Sequence, residues 1–430
     1  MTQKPEGGER VILVHLPLKT PLPPPDPQEF HELSLAAGAT VVGTLSSTRK
    51  LSDAKFCIGS GKVEELKTVV AANRAELVLF DCTLTPAQER NLERAIQCRV
   101  LDRTGLILDI FARRARTYEG KLQVELAQLK YQSSRLIRGW THLERQKGGI
   151  GLRGPGETQL EVDRRLIRAR IKNIQFKLEK VREQRDQGRR ARQKASIPTV
   201  SLVGYTNAGK STLFNCLTGS SVWVADQLFA TLDPTLRILE LPSLGKVVLA
   251  DTVGFIRQLP HTLVEAFRAT LEETKDADLL LHVIDSQDEL REDHIRQVEG
   301  VLQEIGALAV PRIDVYNKID LASDLVPRTL PDEDGHVQRV FISAAQNLGI
   351  DLLKEAIVKR LGGQMIEQEI CLLPDQYKQR ALLYDMGVVI KERLSETGEA
   401  DLQIRIPKHQ WEQLCQQHPN FATLERQIKE

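Results

Sequence analysis

Thr199-Val200-Ser201-Leu202-Val203-Gly204-Tyr205-Thr206-Asn207-Ala208-Gly209-Lys210-Ser211 is the stretch on which the fold of this chain turns. Its β-branched first half reads as a buried strand. The strand runs into G-x-x-x-x-G-K-S, and a helical pattern follows. In that context the glycines let backbone N–H groups curl around a β-phosphate at a helix N-terminus, where the peptide dipoles favour an anion. Gly204, Tyr205, Thr206, Asn207, Ala208 and Gly209 make the cradle. Lys210 reaches the β- and γ-phosphates, and the Ser211 hydroxyl ligates Mg²⁺.

Three later motifs follow in the order such a domain requires. Val247 to Ala250 is an apolar strand ending in Asp251-Thr252-Val253-Gly254. Asp251 holds the Mg²⁺ shell and Gly254 offers its N–H to a γ-phosphate. As a bare helix cap Asp251 needs no function, but its distance from the phosphate loop favours the metal role. Val310 to Tyr316 is a further strand and leads into Asn317-Lys318-Ile319-Asp320. The Asp320 carboxylate accepts from guanine N1–H and the 2-amino group; adenine has neither donor, so Asp320 would be left unpaired. Ser343-Ala344-Ala345, after the strand Arg339 to Ile342, can place backbone N–H on guanine O6. Between the loop and Asp251 must lie the γ-phosphate sensor. Phe229-Ala230-Thr231-Leu232-Asp233-Pro234-Thr235 is the candidate, with Thr231 or Thr235 completing Mg²⁺ coordination in the GTP state. The expected fold is a doubly wound α/β domain that hydrolyses GTP. Lys210, Thr231 and Gly254 are its catalytic candidates, and Ser211, Thr231 and Asp251 its metal ligands.

The 430 residues exceed one ordinary core and suggest about two to four domains. Residues 1–117 alternate strand-like and helix-like runs and read as an α/β domain with a mostly parallel sheet. Within it Thr85-Pro86-Ala87-Gln88 carries a capping box with proline at the first helical position. Residues 118–196 read as two long polar helices, about Lys121 to Lys147 and Thr158 to Lys194, with narrow apolar seams at helical spacing. The tip between them, Gly148 to Gly156, holds five glycines in nine residues. Residues 197–363 are the GTPase domain. Gly362-Gly363 reads as a hinge before a small α+β module over 364–430, with a helix expected from Gln379 to Glu396 and a strand from Ala400 to Ile406.

A net charge of +1 conceals a division. Arg113 to Lys194 holds 23 basic and 9 acidic residues, a net of +14, and the rest of the chain carries −13. Charge separated in this way fits an element built to meet a polyanion, against the plainer reading of a solvated helical pair. Six cysteines stand far apart without C-x-x-C, which disfavours a zinc site or disulfide framework and fits a reducing cytosol. No run of eighteen apolar residues is present, so no membrane span is expected, and the polar Met1 to Arg10 does not read as a signal peptide.

Gly148 to Arg165 (GGIGLRGPGETQLEVDRR), Phe229 to Thr235 (FATLDPT) and Asp251 to Phe255 (DTVGF) resemble the HflX family of translational GTPases. The resemblance is strong over about residues 10–362 and weak in the C-terminal module. It favours Thr231 over Thr235. It implies a cytoplasmic GTPase that docks on the large (50S) ribosomal subunit through its N-terminal region and aims the glycine-rich tip at ribosomal RNA near the peptidyl-transferase centre. Splitting or rescue of stalled ribosomes, or their biogenesis, is the implied role; a monomer that does not bind DNA is expected. The G-x-x-N-x-G-K-S form also resembles potassium-activated GTPases, in which the residue matching Asn207 helps bind K⁺; bracing the loop is the other reading. Phe255 stands where many small GTPases place the glutamine that orients water. A phenyl ring makes no such hydrogen bond, so intrinsic hydrolysis should be slow unless another side chain supplies the group.

Weaker signals carry less. Gly59-Ser60-Gly61-Lys62 lacks the spacing of a phosphate loop and reads as a glycine turn before a helix. Trp140 and Tyr131 suit base stacking or, more simply, helix packing. Two other functions fit parts of the sequence: an RNA-remodelling protein with the nucleotide as regulatory ligand, and a signalling switch for a protein partner. The +14 segment would lack an acidic target in the second, and turnover stimulated by ribosomes separates the first.

Overall fold

The structure is a computed structural model. It describes residues 8–16, 26–47, 53–136, 155–194, 197–219, 228–229, 235–241, 244–257, 273–322, 324–333, 335–362, 365–395, 398–407, 411, 414–415 and 421. The tip through Gly154, Trp140 and residues 230–234 therefore lie outside the described residues. The chain forms two compact units. One is Met1–Lys180 with Ala225–Asp233 and Gln258–Arg268; the other is Val181–Val224, Pro234–Arg257 and Ala269–Glu430.

The first unit is built on four parallel strands, β1 (Arg10–His15), β2 (Thr40–Ser46), β3 (Leu77–Phe80) and β4 (Arg99–Asp102), in the order β2-β1-β3-β4. Helices α1 (Pro27–Ala36), α2 (Ser60–Asn73) and α3 (Pro86–Ile96) connect successive strands, and α4 (Arg103–Arg114) follows β4. The two middle strands are wholly apolar beyond Arg10 and His15, as strands covered on both faces must be. Thr85 caps α3 in a reciprocal box with Gln88. Asp102 caps α4 by accepting from the Gly105 N–H at 2.8 Å.

The long helices are α5 (Tyr118–Leu136) and α6 (Pro155–Lys194). Leu122 and Leu126 bury against Ile174, with Leu129, Ile171 and Leu178 beside them, and Arg170 grips Glu125 through two hydrogen bonds. Tyr131 is not exposed for stacking: its hydroxyl donates to Asp102 at 2.7 Å, and the Arg135 guanidinium lies over its ring while also bonding Asp102. Burial pushes the Asp102 carboxyl up from its ordinary value against the donors from Gly105, Tyr131 and Leu84. That anchor fastens α5 to the sheet and explains the tyrosine by packing.

In the second unit seven strands form one sheet: β5 (Thr199–Gly204), β6 (Thr235–Leu241), β7 (Gly245–Asp251), β8 (Leu279–Asp285), β9 (Arg312–Asn317), β10 (Arg328–Pro331) and β11 (Val337–Phe341). Their order is β10-β11-β9-β8-β5-β7-β6, parallel from β11 to β7, with β6 and β10 antiparallel at the edges. Helices α7 (Lys210–Thr218), α8 (Arg291–Glu304) and α9 (Ile350–Gly362) accompany it. The core gathers Val200, Leu202, Leu249, Leu281, Val315 and Val340 from the strands with Leu213, Phe214 and Leu353 from the helices.

The C-terminal module is an antiparallel sheet of β12 (Met365–Leu372), β13 (Val389–Leu394) and β14 (Ala400–Pro407), in the order β12-β14-β13, with α10 (Tyr377–Asp385). One expected helix here is corrected. The stretch from Gln379 to Glu396 is a helix only to Asp385. Gly387 turns at φ +68°, and the β-branched Val388-Val389-Ile390 then favours a strand.

Candidate nucleotide-binding site

Strands β5, β7 and β9 release their carboxyl ends at one edge of the sheet, where open parallel sheets hold ligands. The backbone dictates both loop glycines. Gly204 sits at φ +150°, and a Cβ there would lie 2.3 Å from the Val283 carbonyl oxygen. At Gly209, φ is +93° and a Cβ would meet Asn317 Nδ2 at 2.2 Å. Asn317 donates from Nδ2 to the Ala208 carbonyl at 3.0 Å and accepts the Ala344 N–H on Oδ1 at 3.0 Å. One buried amide therefore ties the phosphate loop, the Asn317–Asp320 motif and the Ser343–Ala345 motif together.

Lys210 opens α7, is buried, and donates from Nζ to the carbonyls of Gly204 at 3.0 Å and Tyr205 at 2.6 Å. Burial pulls its ammonium down to about 8, against the raising influence of Asp251. The Ser211 hydroxyl donates to Asp251 at 2.9 Å, and the Asp251 carboxylate has no solvent exposure. A hydroxyl and one carboxylate are hard oxygen donors of the kind Mg²⁺ takes alongside water and phosphate oxygens, so the pair fits the ion. Among the described residues no group of three or more His, Cys, Asp or Glu is placed to hold a metal.

Thr252 donates to the Leu202 carbonyl at 2.5 Å, and Val253 is buried beside it. Gly254 lies directly over the loop: a Cβ there would come 2.8 Å from the Thr206 methyl and 3.1 Å from Lys210 Nζ. Phe255 is buried and pairs its backbone with the loop. Asn207 stands exposed in the left-handed region at φ 61°, and among the described residues its side chain makes no hydrogen bond, so bracing of the loop is not seen.

At the guanine edge Lys318 adopts φ 65° and its ammonium pairs with Asp285 at 2.8 Å. Ile319 is buried and starts a short 3₁₀ turn with Asp320, whose Oδ1 is shielded from water and finds no hydrogen-bond partner among the described residues. Ser343 is buried, pairs its backbone with Leu348 and holds the Gln346 N–H on its hydroxyl; Ala345 is exposed. Thr235 belongs to β6, opposite Asp251. Ala230, Thr231, Leu232 and Asp233 lie outside the described residues. Phe229, at φ 58° and 2% exposed, sits in the first unit, edge-on to Phe111 at 4.6 Å, with its carbonyl accepting from Arg114 at 3.2 Å.

Sequence reasoning missed the loop Asp285 to Leu290 and His294. No spacing rule marks them.

Four family models match the chain: GTP-binding GTPase N-terminal over residues 26–112, GTP-binding GTPase Middle Region over 114–192, 50S ribosome-binding GTPase over 199–318, and HflX C-terminal domain over 333–427. The GTPase HflX of Escherichia coli (strain K12) is 54% identical over 414 residues, covering 96% of this chain and 97% of that protein. The GTPase HflX of Caldanaerobacter subterraneus is 50% identical over 390 residues, covering 91% and 89%. A crystal structure of a GTP-binding protein from the hyperthermophilic archaeon Sulfolobus solfataricus in complex with GDP is 26% identical, covers 82% of this chain and 98% of that one, and superposes with a TM-score of 0.44.

Proposed function

The chain belongs to the HflX family of GTPases and hydrolyses GTP, and on that premise we propose that it works on the large (50S) ribosomal subunit, coupling its GTP cycle to ribosome splitting, rescue or biogenesis. Supporting the ribosomal reading are the +14 segment and the description of the family that matches residues 199–318. A basic helical pair neutralises backbone phosphates without reading sequence, and a side-chain-poor tip can enter a narrow RNA cleft. Residues 118–196 are then the docking arm, 197–363 the motor, and 1–117 and 364–430 the flanking domains. The protein acts as a cytoplasmic monomer with ribosomal RNA, not DNA, as its polyanion.

The single observation that carries the nucleotide assignment is the shielded, unpartnered Oδ1 of Asp320 beside a phosphate loop. Guanine N1–H and the 2-amino group satisfy that carboxylate. In the Ser343–Ala345 motif the Ser343 and Ala344 N–H groups go to Leu348 and Asn317, which leaves the exposed Ala345 N–H as the donor for O6. The N–H groups from Asn207 to Ser211 and the ammonium of Lys210 bind the phosphates, the Thr206 N–H being taken by the Phe255 carbonyl. Ser211 and Asp251 hold Mg²⁺, with Thr231 joining in the GTP state; the ion supplies charge neutralisation at the β- and γ-phosphates. The Gly254 N–H donates to the γ-phosphate. The buried phenyl ring of Phe255 cannot hydrogen-bond the water, so turnover waits on the ribosome ordering the segment around Thr231. The exposed amide of Asn207 is the K⁺ ligand of this reading. Asp320→Asn tests the base assignment: GTP affinity should fall by about 5- to 150-fold, the range of about 1–3 kcal/mol for an unpaired buried group. Xanthosine triphosphate, whose extra carbonyl accepts from the new amide, should bind better. Unchanged GTP affinity would refute it.

A further inference from the structure

Tyr205 is the second residue of the phosphate loop, and its side chain is held by His294 and Arg257. Its ring stacks on the His294 imidazole, with centroids 3.7 Å apart and planes 12° from parallel. Its hydroxyl accepts the backbone N–H of Arg257 at 3.0 Å. Two backbone bonds lie alongside: the Thr206 N–H donates to the Phe255 carbonyl at 2.8 Å, and the Phe255 N–H to the Gly204 carbonyl at 3.1 Å. Three hydrogen bonds thus clip the segment after Asp251 to the loop, and Gly254 lies inside that clip. Only the outermost of the three is made by a side chain, and that side chain leans on His294.

His294 lies in the first turn of α8. Its Nδ1 is hydrogen-bonded to the Asp288 carboxylate. Burial opposes ionisation of Asp288, but the bonds from His294 and from the Leu290 N–H leave its carboxyl below the ordinary range, so it stays an acceptor. The same loop begins at Asp285, the partner of Lys318, and its Ser286 N–H donates to the Asn317 carbonyl at 2.9 Å. The loop thus touches the guanine-binding motif at Asp285 and Ser286 and holds His294 at Asp288.

We propose that His294 is a positioning residue for GTP hydrolysis: by holding the Tyr205 ring flat, it keeps the Tyr205 hydroxyl on the Arg257 N–H and so seats Gly254 over the phosphate loop. This rests on the reading of Gly254 as the γ-phosphate donor. A tyrosine on a loop has two rotatable bonds, and without a stacking partner its ring samples other rotamers. The outer bond of the clip is then intermittently lost. Stacked aromatic pairs contribute enough beyond area burial to change an equilibrium by about 2- to 12-fold, and a donor needed only in the transition state passes that loss to the rate. Ground-state binding of base, α- and β-phosphates does not pass through the stack.

The test is single-turnover hydrolysis with the full chain at varied protein concentration, plus equilibrium binding of a fluorescent GDP. His294→Ala should lower the maximal rate constant about 3- to 10-fold while the half-saturating concentration and GDP affinity stay within about twofold. His294→Phe keeps a flat ring but loses the bond to Asp288, and should restore the rate to within about twofold of the natural protein. The Phe variant also carries the test if the Ala variant does not fold. Equal rates in all three proteins, equal impairment of Ala and Phe, or a loss confined to affinity would each overturn the proposal. A natural protein that bound no guanine nucleotide would overturn the site reading itself.

Discussion

Raising the pH from 7.5 to 8.5 should weaken guanine nucleotide binding about threefold, through Lys210 alone. The ammonium is enclosed, its partners are the Gly204 and Tyr205 carbonyls, and burial holds it near 8 rather than its ordinary 10.5 despite Asp251. Between those two values the unfolded chain binds more protons at this site than the folded one, so the stability of the nucleotide-free protein rises with pH across that window. Nucleotide reverses the balance. Phosphate oxygens favour the charged form, so binding takes up a proton wherever the nucleotide-free lysine has lost one. With a value near 8, roughly a quarter of the molecules are neutral at pH 7.5 and roughly three quarters at pH 8.5. Proton uptake should therefore climb from about 0.2 to about 0.8 per GDP bound, and affinity should fall about threefold. Titration calorimetry in two buffers of different ionisation enthalpy measures both quantities. Flat affinity with no change in proton uptake would mean that Lys210 is charged throughout and that its burial has no electrostatic cost.

Replacing Gly148 to Gly156 with a short Gly-Ser linker should leave basal hydrolysis within about twofold and remove most of the ribosomal stimulation, a coupling of about 1–3 kcal/mol. Raising salt should erode the stimulation of the intact protein before it affects basal turnover, because each phosphate contact releases counterions; stimulation that ignores both changes would place the ribosome on another surface. Exchanging K⁺ for Na⁺ should slow turnover of the natural protein but not of Asn207→Ala, and equal rates in the two salts would remove K⁺ from the account.

The sequence is most legible where backbone geometry leaves few alternatives. Gly204 and Gly209 had to be glycine because their Cβ atoms would strike Val283 and Asn317, and that necessity is written into G-x-x-x-x-G-K-S. The capping box at Thr85 is equally local and forms between Thr85 and Gln88. Features that depend on distant partners left no such trace. Tyr131 reads as a base-stacking or packing residue until Asp102, 29 positions earlier, takes its hydroxyl. Tyr205 reads as an arbitrary residue of the loop until His294 covers its ring. Strand β10 escaped notice because Arg328 to Pro331 is short, polar and at an edge, where no hydrophobic alternation is required. The expected helix beyond Asp385 failed for a reason present in the residues, since Gly387 and the β-branched run after it compete with helical spacing.

GTP turnover by the full chain is measured with isolated large subunits, with isolated small subunits and with neither. Large subunits alone should accelerate hydrolysis, by well over tenfold if ordering of the segment around Thr231 supplies what buried Phe255 cannot. Turnover that is the same in all three conditions, or that responds only to small subunits, would contradict the account.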